Sequence, residues 1–68
     1  MDPTHRHLSA KVKALTKKRG WSMNQLADFS VVGRGYLSEV LAGRKSPSLR
    51  TLVKLAGALE VKVADLLT

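Results

Sequence analysis

The most informative stretch of the chain is residues 23–43, which read MNQLADFSVVGRGYLSEVLAG. Ser22 and Gln25 have the spacing of a capping box, which predicts a helix that starts directly after the serine. Gly33 can cap a second helix after a turn of about three or four residues. Where the second helix crosses the first, a small residue is needed, and Ala27 stands at that place. A short helix, a tight turn and another helix form the helix-turn-helix layout.

The second helix of this motif, which begins at Arg34, has two chemically different faces. Leu37 and Val40 are three residues apart, and with Leu41 they form an apolar stripe that should face the core. Gly43 should end the helix. Short or hydrogen-bonding residues suit a helix that lies in a DNA major groove about 12 Å wide and touches base edges. The outward face carries such residues, namely Arg34, Gly35, Ser38 and Glu39.

A further helix is predicted on the N-terminal side of the motif. Gly20 supplies a left-handed stop for it. Asp2 and Pro3 could begin it as a cap and first residue, and residues 1–6 are predicted to be a flexible tail. Its apolar positions recur at helical spacing, at Leu8, Val12 and Leu15.

The C-terminal side of the motif predicts a basic loop and two more helices. Pro47 lacks an amide donor and restricts its predecessor, so residues 44–47 should form a loop. Ser48 can cap a fourth helix, and a short fifth helix follows. The apolar positions of these two helices are Leu49, Leu52, Val53, Leu55, Ala56 and Leu59, and then Val63, Leu66 and Leu67. No alternating strand pattern competes, so residues 1–68 are predicted to form a single all-α domain of five helices.

Composition restricts the classes of function. The chain has 68 residues, 12 Lys and Arg against five Asp and Glu, a net charge of +7, 44% hydrophobic residues and no cysteine. One small core excludes a two-domain enzyme, and the missing cysteines exclude disulfides and thiolate zinc sites. Such a positive charge attracts polyanions, so nucleic acid or an anionic membrane surface is the expected partner class. The sequence contains no transmembrane run and no secretory signal pattern, and we expect a cytoplasmic protein.

The segment from Trp21 onward resembles the Cro and C1-type, lambda repressor-like helix-turn-helix domains of lambdoid phages and their small bacterial relatives. The similarity rests on "LA" in the second helix, "YLSEVLAGRKSPSL" through the third and "LAGALEVKVADLL" at the end. It implies a compact five-helix domain, prokaryotic or phage-encoded. Such domains bind double-stranded operator DNA, commonly as homodimers, with the third helix in the major groove.

The resemblance also implies which residues contact base edges. These are Arg34, Gly35, Ser38 and Glu39. Arg34 is the strongest candidate, because a guanidinium can pair in a bidentate way with guanine O6 and N7. Glu39 can accept from a cytosine amino group or can instead orient a neighbouring arginine, and both interpretations stay open. Ser38 suits several bases and specifies weakly.

Phosphate contacts are expected beside the recognition helix. The resemblance places Arg44, Lys45 and Ser46 in the family's backbone-contacting loop. Where the family often has glutamine at the start of the second helix, this chain has Met23, so Asn24 is expected to take over that contact. Tyr36 can pack over the second helix, reach a phosphate through its hydroxyl, or do both.

Several residues have a structural reading beside a functional one. Val31 and Glu60 stand where left-handed glycines are usual in the family, so each turn is either built differently or strained. Trp21 is expected to pack rather than stack on a base, and the basic run 17–19 to complement a helix dipole. His5 and His7 point apart in a helix, so no metal is expected.

The expected function is therefore sequence-specific regulation of transcription by a homodimer on a palindromic operator. The alternative is a protein-interaction module of the same fold, such as an antitoxin or an oligomerisation partner, for which an apolar patch around Leu66 and Leu67 would serve. No nucleophile with a base, carboxylate pair or phosphate loop is present in the sequence, so neither catalysis nor a cofactor is expected.

Overall fold

The computed structural model describes the backbone of residues 3–68 and the side chains from His7 onward. Five helices follow one another, and no strand occurs within these residues. This confirms the predicted all-α, five-helix class. The helices are α1 (Pro3–Lys18), α2 (Met23–Ser30), α3 (Arg34–Leu41), α4 (Leu49–Leu59) and α5 (Val63–Leu67).

α1 begins at the residue that the sequence predicts as its first, and it includes part of the segment that the sequence assigned to a tail. The helix begins at Pro3, so residues 3–6 belong to it. Proline suits the first helical position, because its fixed φ is already helical and its missing amide hydrogen would have no partner there. Asp2, the predicted cap, lies outside the described residues.

Polar caps fix the starts of α2 and α4 as the sequence predicts. The Ser22 hydroxyl accepts from the Gln25 amide at 3.1 Å, and the Gln25 side chain accepts from the Ser22 amide at 2.8 Å. At α4, the Ser48 hydroxyl accepts from the Thr51 amide at 3.1 Å. Each cap satisfies amide groups that the first turn of a helix leaves without partners.

Four helices end in the same way, and two of these ends carry a side chain where glycine is usual. The residues at these ends are Gly20, Val31, Gly43 and Glu60, with φ of 74°, 57°, 81° and 56°. At Val31 the amide donates to the carbonyl of Asp28 at 3.2 Å, and the next amide, of Val32, donates to that of Ala27 at 3.0 Å. This is the Schellman pattern, so both non-glycine residues are in the left-handed conformation that the strained alternative predicts.

A single core joins all five helices. Its most buried side chains are aliphatic, and the buried hydroxyls of Thr16 and Ser30 donate to carbonyls one turn earlier, at 2.6 Å each. Ala27 is buried, as predicted for the crossing of α2 and α3. The core residues are Leu8, Val12, Leu26, Ala27, Leu37, Val40, Leu55, Ala56, Leu59 and Leu66.

The burial of three predicted apolar residues differs from expectation. Leu49 and Val53 were predicted in the apolar stripe of α4, yet they are 70% and 54% exposed, because the apolar side of α4 is wider than the surface that its neighbours cover. Leu66 is fully buried, so the predicted exposed patch around Leu66 and Leu67 is wrong for Leu66. Only Leu67 remains partly exposed there, at 43%.

Candidate nucleic-acid interface

The core holds α3 by one side and leaves the other side open. Leu37 and Val40 are buried, and the remaining helix surface faces away from the core. Three of the four predicted base-contacting residues, Arg34, Gly35 and Ser38, are exposed, and Glu39 is half-buried. A helix fixed in this way presents short polar side chains on a rigid support, as reading base edges requires.

A groove of about 370 Å³ brings residues of three helices together beside this surface. Asn24 from the first turn of α2 and Arg34 and Ser38 from α3 all line it, over a floor that includes Leu37 and Leu41. One predicted phosphate contact and two predicted base contacts therefore share this groove, and the other predicted contact residues do not line it. Lys13 of α1 lines the same groove, although nothing in the sequence distinguishes it from the other solvated lysines of α1.

Arg34 forms an ion pair that the sequence analysis did not predict. Its Nη2 donates to Oδ2 of Asp28 at 2.9 Å, and the two side chains are 59% and 61% exposed. Asp28 lies one helical turn after Asn24, so both are on the same side of α2. That spacing is the one clue in the sequence that could have drawn attention to Asp28.

Glu39 lies beside Arg44, the first residue of the basic loop. Its Oε2 is 3.6 Å from Nη1 of Arg44, and its carbonyl oxygen accepts from the amides of Arg44 and Lys45 at 2.9 and 3.3 Å. Glu39 thus contacts an arginine, which is the geometry of the orienting interpretation. Recognition of cytosine by Glu39 stays a prediction.

Tyr36 connects α3 to the basic loop and to the start of α4. Its hydroxyl accepts from the Thr51 hydroxyl at 3.4 Å and donates to the Ser46 carbonyl at 3.5 Å, both long contacts. The hydrogen bond from Thr51, with smaller contributions from Ser48 and the Lys45 charge, lowers the pKa of Tyr36 below its ordinary value, against the opposing effect of burial. The Lys45 ammonium lies 6.0 Å from the ring centroid. Tyr36 therefore contacts the loop that carries Arg44, Lys45 and Ser46.

Comparison with known proteins places this geometry in a family. A family model described as helix-turn-helix matches residues 12–66. The chain belongs to the Cro/C1-type helix-turn-helix family. The prediction of this family from residues 21–68 is confirmed.

Two curated relatives of this helix-turn-helix domain are regulators by name. The HTH-type transcriptional regulator SutR of Escherichia coli K12 is 36% identical over 61 residues, which are 90% of this chain and 34% of SutR. The immunity repressor protein of Bacillus phage phi105 is 39% identical over 54 residues, or 79% of this chain and 38% of the repressor. The chain thus spans about a third of the length of these relatives.

A solved structure agrees with this helix-turn-helix fold over nearly its whole length. The restriction-modification controller protein C.AhdI from Aeromonas hydrophila superimposes with a TM-score of 0.84 at 29% identity. The match covers 91% of this chain and 94% of the controller protein. The fold is therefore shared with a protein that consists of little more than this domain.

Other basic and aromatic residues of the helix-turn-helix domain pack against the fold. Arg19 Nη2 donates to the Leu59 carbonyl at 3.0 Å, its Nη1 lies 3.6 Å from Glu60, and its guanidinium is 5.2 Å from the Trp21 ring centroid. Trp21 also contacts Phe29, with ring centroids 4.7 Å apart. Trp21 therefore packs against the fold, as expected, whereas Arg19 contacts the end of α4 and not the helix that it follows.

The described residues show no constellation for a metal. From His7 onward, no group of three or more His, Cys, Asp or Glu side chains is close enough together to hold an ion. The His5 side chain lies outside the described residues, so the expectation for His5 and His7 together is not tested. Within residues 3–68, no helix has the length and apolar character needed to cross a membrane.

Proposed function

We propose that this chain binds operator DNA in a sequence-specific way, with α3 in the major groove, and thereby regulates transcription from a nearby promoter. The observation that carries the proposal is the exposed side of α3, rigidly supported by buried Leu37 and Val40, beside a basic loop that Tyr36 contacts. A net charge of +7 supports binding to a polyanion. Occupancy near a promoter would block polymerase or, where the operator lies suitably, recruit it.

Within this proposal the two sets of residues do different work. The base-contacting set is Arg34, Gly35, Ser38 and Glu39, and the phosphate-contacting set is Asn24, Tyr36, Arg44, Lys45 and Ser46. Phosphate contacts fix the register of the protein on the duplex and carry no sequence information. Base contacts carry the specificity, and Arg34 contributes the largest share through guanine.

The dimensions of the domain favour a dimer on a palindromic site. Successive half-sites on one side of B-DNA are about 34 Å apart. The domain measures 27 × 24 × 20 Å, so one copy spans one half-site and two copies are needed for two. The exposed Leu49 and Val53, one turn apart on α4, offer apolar area for contact between the copies.

The test is selection of random duplex DNA by the purified protein at near-physiological salt, followed by sequencing of the bound pool. A palindromic consensus is expected. Arg34→Ala should relax preference at one base pair per half-site at a cost of about 1–3 kcal/mol. Lys45→Ala should weaken binding to all DNA sequences about equally. It should also reduce the slope of log affinity against log salt concentration by about one. Binding without a consensus, and only at low salt, would contradict the proposal.

A second candidate is a protein-interaction module of the same fold, such as an antitoxin. The observation that favours it is the set of large apolar side chains left in solvent, since such area often contacts a protein partner. These side chains are Met23, Phe29, Val31, Leu49, Val53 and Leu67. If Leu49→Ser with Val53→Ser left both DNA selection and dimer formation unchanged, the apolar surface would serve a different partner.

As a regulator of this kind, the protein would act in the cytoplasm of a prokaryotic cell. The named relatives come from a bacterium and a bacterial phage, which supports this setting. No cofactor enters the proposed mechanism.

A further inference from the structure

Asp28 places a negatively charged carboxylate on the surface that is proposed to bind DNA. Its Oδ2 accepts from Arg34 Nη2 at 2.9 Å, across the turn that joins α2 to α3. A negative charge beside a base-reading residue repels the phosphates that flank the groove. An exposed ion pair also contributes little to folding stability. Neither general affinity nor stability accounts for an acid at this place.

Of the other three acids that the structure describes, two contact parts of the fold away from α3 and one lies beside the basic loop. Glu60 lies near Arg19, Glu39 near Arg44, and the Asp65 carboxylate accepts from the Lys62 amide at the start of α5. Among the four acids that the structure describes, Asp28 is the one whose partner is the principal candidate for base recognition.

The geometry of the pair leaves the base-reading edge of Arg34 free. A guanidinium carries five N–H groups in a planar fork. The contact with Asp28 uses one hydrogen of Nη2. The other Nη2 hydrogen and those of Nη1 remain for an end-on approach to guanine O6 and N7. The carboxylate thus shares Nη2 and restricts the direction of the guanidinium, while four of the five N–H groups remain for a base.

We propose that Asp28 is a positioning residue for base recognition: it holds Arg34 in the orientation that reads guanine, and it lowers the affinity for all other DNA. This inference rests on the proposed function. Restraining a long side chain before binding removes an ordering cost of about 0.5–1.5 kcal/mol, which corresponds to about a 2- to 12-fold change in affinity. The benefit exists only where guanine is present, whereas the repulsion of phosphate acts on every sequence.

The experiment compares Asp28→Asn with the unchanged chain on the selected duplex and on the same duplex with the Arg34-dependent guanine replaced. That base pair is defined by the Arg34→Ala variant. Asp28→Asn keeps the shape of the side chain and removes its charge. In Asp28→Asn, the affinity for the selected duplex divided by the affinity for the replaced duplex should fall by about 2- to 12-fold. Binding to the replaced duplex should become tighter.

Two further variants separate this role from simpler ones. In the Arg34→Ala background, Asp28→Asn should leave the ratio unchanged, because no guanidinium remains to be positioned. Glu60→Gln is the matched control: it removes an equal charge from another acid–arginine pair, and it should leave the ratio unchanged. Thermal melting of each variant shows whether the fold is retained.

The outcomes distinguish the inference from the proposed function. If the unchanged chain selects a consensus and Arg34→Ala loses a guanine preference, but Asp28→Asn leaves the ratio unaltered, the inference alone is overturned. Tighter binding to both duplexes by the same factor would show that Asp28 only repels DNA or masks Arg34, and would also overturn it. If the unchanged chain selects no consensus, the proposed function fails and the inference fails with it.

Discussion

Val31 is a β-branched residue in a conformation that favours glycine, and it provides a sharp test of the turn between α2 and α3. Its φ and ψ are 57° and 46°, and the residue is 74% exposed. In this region the Cβ atom lies too close to the following carbonyl, which costs about 1–2 kcal/mol. Branching at Cβ places valine toward the upper end of that range. Val31→Gly removes the atom that causes the strain.

The expected gain in the free energy of unfolding is the strain energy that Val31→Gly relieves, less two losses. About a quarter of the valine surface is buried, so the lost burial is about a quarter of 1.5–3 kcal/mol, or about 0.4–0.8 kcal/mol. Glycine also gives the unfolded chain more freedom, at about 0.5–1 kcal/mol. With strain of about 2 kcal/mol, Val31→Gly should stabilise the domain by about 0.5 kcal/mol, which raises Tm by about 2–4 °C.

The decisive measurement is whether Val31→Gly or Val31→Ala is the more stable variant. Both variants lose the methyl groups, but alanine keeps the Cβ atom. In a helix, alanine is more stable than glycine by about 0.5–1 kcal/mol, whereas at a left-handed position the order should reverse. Denaturant and thermal unfolding of both variants measure the order. Val32, which follows directly and is not among the residues with positive φ, is the control site, where glycine should be the less stable. If alanine were the more stable residue at 31, the strained-turn reasoning would be refuted.

The remaining predictions concern glycines, a cap and an arginine. Gly35→Ala and Gly57→Ala each place a Cβ in open space on a helix, so each should stabilise the domain by about 0.5–1 kcal/mol. Only Gly35→Ala should weaken DNA binding. Equal DNA affinities of the two variants would remove Gly35 from the interface. Ser48→Ala should cost about 0.5–2 kcal/mol in denaturant unfolding, and an unchanged midpoint would show that the cap of α4 contributes nothing. Arg19→Ala should lower the free energy of unfolding by about 1 kcal/mol or more, because Arg19 donates a hydrogen bond to the end of α4. Lys18→Ala should change it by only a few tenths of a kcal/mol. Equal losses in the two variants would contradict the role of that hydrogen bond.

The parts of the fold that the sequence predicted are those fixed by local chemistry. The capping box at Ser22 and Gln25 and the cap at Ser48 depend on residues three positions apart, so the sequence contains the whole interaction. The sequence left the geometry at Val31 and Glu60 open, and the structure shows that both residues have the positive φ of a left-handed helix end. The cost is local and a small domain can carry it.

Burial was harder to predict where a helix has more apolar residues than its neighbours can cover. Leu49 and Val53 belong to the apolar pattern of α4, but periodicity gives only the direction of a side chain and not whether another element lies against it. The same limit applies at the C-terminus, where Leu66 is buried and Leu67 is half exposed. Neighbouring residues in a helix point about 100° apart, so a patch cannot be assigned to both without the position of α5.

The pairing of Asp28 with Arg34 shows why a candidate site is harder to predict than its fold. The sequence identified Arg34 from its place at the start of α3, but its partner comes from another helix, six residues earlier, across a turn. No periodic rule joins those two positions, since i to i+4 spacing holds only within one helix. Their contact follows from the angle at which α3 crosses α2, and that angle depends on how closely Ala27 lets the helices approach. Ala27, which packs where the two helices cross, thereby affects which side chain lies beside Arg34.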